Sequence, residues 1–185
     1  LDGAWLSAPS PTASPNLCSV SRLDLYKEHA HIDLTEIFPP NPNRDPELVN
    51  AWTYESFLQA TTKLAAAGHP FGAAITPTPD GTNWLAATFS AYGAEFVNRE
   101  GEVTVNSDEV RNLLEYMSRL TQHMPDSVYA GDDASNNRFM IAGTGSAAIN
   151  PPSIWAVSNR DMPAVAEQLW HHDLPSGPKG RFRPD

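Results

Sequence analysis

The sequence contains a single cysteine, Cys18, which excludes an internal disulfide framework and any metal site built from several cysteines. Basic residues are scarce as well, because 12 Lys and Arg stand against 22 Asp and Glu, for a formal net charge of −10. This balance argues against nucleic-acid binding, since contacts to phosphates need clustered Lys and Arg. No segment approaches the roughly 18 uninterrupted apolar residues of a membrane span. With 185 residues, of which 41% are hydrophobic, the chain is nevertheless long and apolar enough to fold around a core.

The sequence also lacks the signatures of common catalytic and cofactor sites. It has no HExxH, CxxC or GxSxG motif, and its lone GxG, Gly143-Thr144-Gly145, lacks the third glycine of a dinucleotide site. His171 and His172 are adjacent and would point to opposite sides of a strand, so we do not expect them to share a metal ion. We therefore predict neither a metal site nor a cofactor.

Alternating helical and strand patterns predict an α/β fold, a helix-rich lobe with a small sheet. The clearest helix follows the N-cap Thr53, carries apolar side chains at helical spacing and ends before Gly68, a C′ glycine. The other predicted elements are helices over 21–30 (N-cap Ser21), 83–92, 108–120 (N-cap Asn106, in a capping box with Glu109) and 134–142, two short helices capped by Ser153 and Asp161, strands over 70–75 and 145–149, and a hairpin over 95–105.

The distribution of proline indicates how the chain is organised. Seven of its 17 prolines lie in the first 50 residues, and residues 1–20, rich in Ser, Pro and Ala, show no periodicity. We predict a crossing or linker segment over 1–20, a single α/β lobe over 21–173 and a turn-rich exit segment over 174–185. The first residue is Leu1 rather than methionine, which predicts either a removed leader or a start inside a longer protein.

A dense polar run is the first candidate for ligand binding. It contains Asp132 and Asp133, followed by Asn136 and Asn137. Carboxylate and amide groups together supply both acceptors and donors, which suits a ligand rich in hydroxyl groups. The alternative for at least one of them is helix capping.

The second candidate is the stretch from Asn150 to Trp155, in which two prolines stiffen a loop beside a serine. A tryptophan on a rigid loop next to polar side chains is suited to stack on the apolar face of a sugar. Trp84, which follows Asn83, has the same character, and core packing is the alternative for both indoles. These polar and aromatic groups favour binding over catalysis.

Five passages of the sequence carry characteristic groups in a fixed order; they are 51–72, 89–110, 108–120, 132–150 and 174–180. The first contains Ala-Trp-Thr, Lys-Leu, Gly and Pro-Phe-Gly groups, and the last reads Leu-Pro-Ser-Gly-Pro-Lys-Gly. Taken in this order, the passages resemble family 1 extracellular solute-binding proteins of ABC importers. The first is similar to their TW-x-E, KL, G and PFG passage, and the last to their hP-x-GP-x-G crossing segment.

This resemblance implies a two-lobed receptor that closes on its ligand by hinge bending, exported to the periplasm or cell exterior of a bacterium. It implies a sugar or polyol as ligand, ABC permease subunits as partners, and no catalysis. The chain would be the second lobe, and the first lobe would be missing. Hydrogen bonds to the ligand would come from Asp132, Asp133, Asn136, Asn137 and Asn150, and stacking from Trp155 or Trp84.

Two alternatives from other classes stay open at this point. A metal- or carboxylate-dependent hydrolase would use Asp132 and Asp133 with His171 or His172. A purely structural interaction domain would bury both Trp84 and Trp155 and would have no polar cleft.

Overall fold

The computed structural model describes residues 17–182, so residues 1–16 of the predicted crossing segment lie outside the described part. Helices dominate and the strands are few, which confirms the predicted fold class. The elements are β1 (Cys18–Arg22), α1 (Leu23–Leu25) with a π-helical turn (Tyr26–Ala30), α2 (Leu34–Ile37), α3 (Pro46–Ala51), α4 (Tyr54–Ala66), α5 (Pro79–Tyr92), α6 (Asp108–Thr121), a 3-10 turn (Asp126–Tyr129), α7 (Ser135–Ile141), β2 (Ala147–Asn150), α8 (Ser153–Asp161), α9 (Pro163–Ala166) and β3 (Leu169–His172).

The three strands form one antiparallel sheet in the order β2-β1-β3, with β1 in the middle. Val20 pairs with Ala148 on one side and with His171 on the other. Because side chains alternate along a strand, Ala148 joins Val20 on one face of the sheet, and Ala147 and Ile149 point to the other. Both faces are therefore buried.

Each face of the sheet carries its own apolar cluster. The larger cluster packs α4, α5 and α6 against the sheet and is rich in aromatic rings. In it the Phe57 ring meets the Trp52 ring edge to face at 6.0 Å and the Phe71 ring at 5.0 Å. The smaller cluster joins α7 and α8 to the opposite face through Met140 and Ile154. The sheet is thus a thin middle layer that fixes the relative positions of α5, α7 and α8.

Local signals at the ends of α4 and α5 agree with the predictions. Thr53 and Ser56 form a capping box, in which the Ser56 N–H donates to Thr53 Oγ1 at 3.1 Å and the Thr53 N–H to Ser56 Oγ at 2.8 Å. Gly68 and Gly93 end the two helices with φ angles of 88° and 71°, values that favour glycine.

Several predicted caps were wrong, because the elements begin at other residues than the sequence pattern predicts. Ser21 lies inside β1, where its Oγ bonds the Nε2 atom of His172 at 3.0 Å. Ser107 rather than Asn106 caps α6. Ser153 is the first residue of α8, and Asp161 is its last.

The start of α5 was also misplaced, since the helix begins at Pro79 rather than at residue 83. Thr78 caps it by accepting the Gly81 N–H, and a proline is favourable in the first turn because that turn needs no N–H donor there.

The strand predicted over 70–75 is only partly formed. The Gly72 N–H donates to the Ala147 carbonyl at 3.0 Å and the Ser146 N–H to the Pro70 carbonyl at 3.1 Å, which gives one isolated bridge. Pro70 has no N–H to extend the ladder, and the Ile75 N–H turns to the Val128 carbonyl. The predicted hairpin over 95–105 is present, likewise with a single bridge.

The predicted division into segments stays a prediction, but its boundaries fall within continuous structure. Residues 18–22 form one strand, and the exit segment packs back on the helices. The Tyr54 N–H donates to the Ser176 carbonyl at 2.9 Å and the Lys179 N–H to the Ala91 carbonyl at 2.9 Å. Among residues 17–182, none of the helices has the length and apolar character needed to cross a bilayer.

Candidate functional site

Polar side chains from three helix starts meet at the end of β2. The Asn136 amide in α7 donates to the Ile149 carbonyl at 3.1 Å and to Asp80 of α5 at 3.4 Å. The Asn150 amide donates to Asn137 Oδ1 at 2.8 Å. These bonds connect α5, α7 and β2. We call the whole group the polar site; its members are Asp80, Asp133, Asn136, Asn137, Asn150 and Ser153.

The polar site has a buried layer and an accessible layer. Asn136 and Asn150 are 3% and 2% exposed, and their amide N–H groups are already bonded within the protein. They therefore position their neighbours, which corrects the prediction that both contact a ligand. Asp133 and Ser153 are exposed, and Asn137 is partly exposed. These side chains carry hydrogen-bond acceptors and donors at the surface.

Asp80 is the member of the site that the sequence interpretation missed. It is half-buried at the start of α5, and burial raises its pKa, as does the charge of Asp133, whereas the hydrogen bond from Asn136 lowers it. The helix predicted over 83–92 leaves out the Thr-Pro-Asp-Gly stretch that begins at Thr78, although this stretch is a typical helix start.

Asp132 stabilises the turn in which it lies. Its Oδ1 atom accepts the Ser135 hydroxyl at 2.9 Å, the Ala134 N–H at 3.1 Å and the Arg138 guanidinium at 2.6 Å. The hydrogen bond from Ser135 and then that from Arg138 lower the pKa of this carboxyl. These bonds hold the turn before α7 and do not cap the helix, because its N-cap residue is Ala134, which receives no side-chain cap. The capping alternative therefore does not describe Asp132, and Asp133 beside it is exposed.

The two candidate tryptophans have opposite environments. Trp84 is 3% exposed, its indole N–H donates to the Ala74 carbonyl at 2.9 Å, and its ring packs edge to face on Phe71. The stacking role predicted for Trp84 is therefore wrong, because its indole is enclosed in the core and cannot reach a ligand. Trp155 is 46% exposed. The molecule therefore differs from the purely structural interaction domain considered above, which would bury both indoles.

Trp155 lies on one wall of a cleft of about 840 Å³, which we call the tryptophan cleft. The proline-rich loop after α2 and residues of β3 supply most of the remaining lining. No sequence pattern indicated the tryptophan cleft, since the residues that line it are far apart in the chain. Its lining residues are Phe38, Pro39, Pro40, Asn41, Pro42, Arg44, Pro152, Trp155, Leu169, Trp170 and His171.

The groups of the hydrolase alternative are not assembled in the described residues. His172 is buried, with its ring stacked on Phe38 at 5.0 Å, and burial lowers its pKa to about 4. His171 lies on the other face of β3 and lines the tryptophan cleft, while Asp132 is held by Arg138. Within residues 17–182, no three His, Cys, Asp or Glu side chains converge on a point where a metal ion would bind.

No protein-family model matches the sequence, and no curated protein is significantly similar to it. Solved structures do resemble the fold. Maltose-bound MalE3 of T. maritima superposes with a TM-score of 0.69 at 19% identity, over 90% of this chain and 40% of that one. A solute-binding protein of an ABC transporter from Agrobacterium radiobacter K84, in complex with ribitol, gives 0.68 at 16% identity, over 93% and 40% of the two chains.

The chain has the fold of one lobe of an ABC-transporter solute-binding protein. A sugar transporter from Arthrobacter chlorophenolicus A6 with bound laminaribiose agrees, with a TM-score of 0.62, 14% identity and coverage of 91% and 40%. The lobe spans about 40% of the length of these structures. In this lobe, the polar site lies where α5, α7 and α8 begin.

Proposed function

We propose that this chain is the ligand-capturing lobe of an extracellular receptor that delivers a sugar or related polyhydroxy solute to a bacterial ABC importer, without catalysing a reaction. The observation that carries the proposal is the accessible layer of the polar site, in a lobe of this fold. Neighbours of the same fold are bound to maltose, ribitol and laminaribiose, all of them rich in hydroxyl groups.

The chemistry of the accessible layer suits such solutes. A sugar hydroxyl both donates and accepts, so it pairs well with a carboxylate acceptor and an amide or hydroxyl donor side by side. Asp80 and Asp133 supply acceptors, Ser153 supplies a hydroxyl, and Asn137 contributes its partly exposed amide. The buried Asn136 and Asn150 hold these groups in place before any solute arrives, which limits the entropy lost on binding.

The same fold supports a proposal about the partners of this lobe. Because it covers 40% of its neighbours' chains, we propose that a first lobe completes the solute site and that permease subunits receive the solute. This role places the receptor in the periplasm or outside the cell.

Binding by the lobe itself is testable by nuclear magnetic resonance. One lobe offers half of the contacts, so we expect millimolar affinity, which chemical-shift titration measures well. Maltose, laminaribiose, tagatose and ribitol are titrated into the ¹⁵N-labelled chain. Shifts should concentrate at residues 76–82, 132–137 and 150–155. If none of the solutes moves these signals at the highest soluble concentration, the proposal fails.

Replacing Asp133 with alanine should weaken the binding of the best solute about tenfold or more, because hydrogen bonds to a charged group contribute roughly 1.5–3 kcal/mol. The same titration measures the loss. Glu115→Ala is the matched control, since Glu115 is an exposed carboxylate on α6. Equal affinities for the two variants would contradict the role of Asp133.

A further inference from the structure

The proline-rich loop of the tryptophan cleft is fastened at both ends. The Trp170 indole N–H donates to the Phe38 carbonyl at 2.9 Å, and the Arg44 guanidinium donates to Asp173, just beyond β3, at 2.7 Å. Three prolines lie between these two anchors and fix backbone φ angles. The loop over 38–44 is therefore stiff and attached to the end of β3, so the cleft does not need a ligand to form it.

Aromatic side chains give the cleft a flat apolar surface. Its lining includes Phe38, Trp155 and Trp170. The indole of Trp155 is 46% exposed, although the neighbouring Ile154 is fully buried. Grooves lined by aromatic rings are the surfaces on which proline-rich peptides dock, because such peptides are stiff before binding and lose little entropy. The apolar surface of the cleft therefore suits a proline-rich segment.

The polar atoms of the cleft complement the backbone of such a segment. Asn41 supplies an amide, and the guanidinium of Arg44 has N–H groups beyond the one that binds Asp173. The Nε2 atom of His171 is buried and has no hydrogen-bond partner among residues 17–182. No carboxylate lines the cleft within the described residues. A proline-rich backbone matches this set of donors, since each proline keeps its carbonyl acceptor but has no N–H.

The chain itself carries a proline-rich segment. Residues 8–15 read Ala-Pro-Ser-Pro-Thr-Ala-Ser-Pro, with three prolines and no charged side chain. All of its other side chains are small, so they leave the backbone carbonyls accessible to donors. In an extended proline-rich conformation, eight residues span about 25 Å at roughly 3.1 Å per residue. The segment is thus long enough to lie along a cleft of about 840 Å³.

The segment joins the described structure next to the cleft. It ends two residues before β1, and β1 begins between the ends of β2 and β3, where Cys18 pairs with Asn150 and Ser19 pairs with His172. The cleft is lined by Pro152, two residues beyond Asn150, and by residues of β3. Paired residues of neighbouring strands lie only about 5 Å apart. Residues 8–15 therefore start at the cleft and need no long connection to reach it.

We infer that the tryptophan cleft binds the chain's own proline-rich segment, residues 8–15. The proline rings pack on the Trp155 indole, and carbonyl groups of the segment accept hydrogen bonds from the polar side chains of the cleft. This contact fixes the direction in which the chain enters the lobe. It goes beyond the proposed function and does not depend on it, because the accessible layer of the polar site takes no part in it.

Nuclear magnetic resonance on the full chain tests the contact directly. We expect nuclear Overhauser effects between the proline rings of residues 8–15 and the indole of Trp155. Replacing the three prolines with glycine should abolish them and shift the indole N–H signals of Trp155 and Trp170, while those of the buried Trp52 and Trp84 stay in place. The matched control also introduces three glycines but keeps the prolines, and it should leave all four signals unchanged. The test variant is Pro9→Gly, Pro11→Gly and Pro15→Gly, and the control is Ser10→Gly, Thr12→Gly and Ser14→Gly.

The reciprocal experiment changes the cleft instead of the segment. In Trp155→Ala the amide order parameters of residues 10–14 should fall from about 0.8 to below about 0.6. Tyr129→Ala, which removes a ring that is 57% exposed outside the cleft lining, should leave them unchanged.

The inference fails if the proline rings show no Overhauser effects to Trp155, or if both glycine variants shift its signal equally. It also fails if maltose, rather than the segment, accounts for the Trp155 contacts, since the cleft then belongs to the solute. Solute binding at the polar site is measured separately from the signals of residues 132–137, so the proposed function stands or falls independently of these outcomes.

Discussion

Replacing Trp52 with alanine is expected to lower the free energy of unfolding by about 3–5 kcal/mol, the usual cost of removing a large buried aromatic side chain. Trp52 is 2% exposed, and its ring meets those of Tyr26, Phe38, Phe57 and His172 at centroid distances of 5.6–6.4 Å. Domains are typically stable by only about 5–15 kcal/mol. The variant is therefore expected to be largely unfolded at a moderate urea concentration at which the parent chain is still folded.

Urea unfolding followed by circular dichroism measures the loss, with Trp155→Ala as the matched control. Both variants lose the same side chain, but Trp155 is 46% exposed and belongs to a cleft wall. Its removal should cost about 1 kcal/mol or less. Equal losses for the two variants would mean that Trp52 does not organise the larger core.

Acidification below pH 6.5 should destabilise the protein through His172. This imidazole is neutral in the folded chain because burial lowers its pKa from 6.5 to about 4, an effect opposed in part by the hydrogen bond to the Asp173 carbonyl. Above pH 6.5 His172 is neutral in both the folded and the unfolded chain, so it adds no pH dependence to the free energy of unfolding. Between pH 6.5 and 4 only the unfolded chain takes up the proton, and stability falls by up to about 3 kcal/mol.

The contribution of His172 is isolated by comparing unfolding free energies of the parent and of His172→Gln between pH 7.5 and about 4. The difference in unfolding free energy between the parent and His172→Gln should shrink steadily as the pH falls, because only the parent loses the contribution of this histidine. His123→Gln is the control, since His123 is partly exposed just after α6. Parallel curves for the parent and His172→Gln would contradict the assignment.

The parts of the fold that were predictable from sequence are those set by neighbours along the chain. The cap at Thr53 and the glycines at 68 and 93 act within one helical turn, so their residue types alone mark the ends of α4 and α5. The spacing of apolar residues along each helix determines which of its faces is buried. The polar run around Asp133 was recognisable for the same reason, since its residues are consecutive.

What could not be predicted depends on partners far away in the chain. Ser21 was read as a cap, but its hydroxyl bonds His172, 151 residues away. The tryptophan cleft pairs a loop near residue 40 with Trp155, and neither segment carries a signal for the other. Asn136 and Asn150 looked like ligand contacts because amides are usually accessible, and only packing shows that they are buried.

The central position of β1 has a consequence for how this protein becomes folded. Cys18 in β1 bonds Asn150 across 132 residues, and the neighbouring pair of Ser21 and His172 spans even more of the chain. Such pairings cost loop-closure entropy before any contact compensates for it, so they form slowly and late. During synthesis, β1 cannot pair with β2 or β3 until residues 147–172 have left the ribosome, so the sheet of the described residues forms only after the helices between its strands have been made.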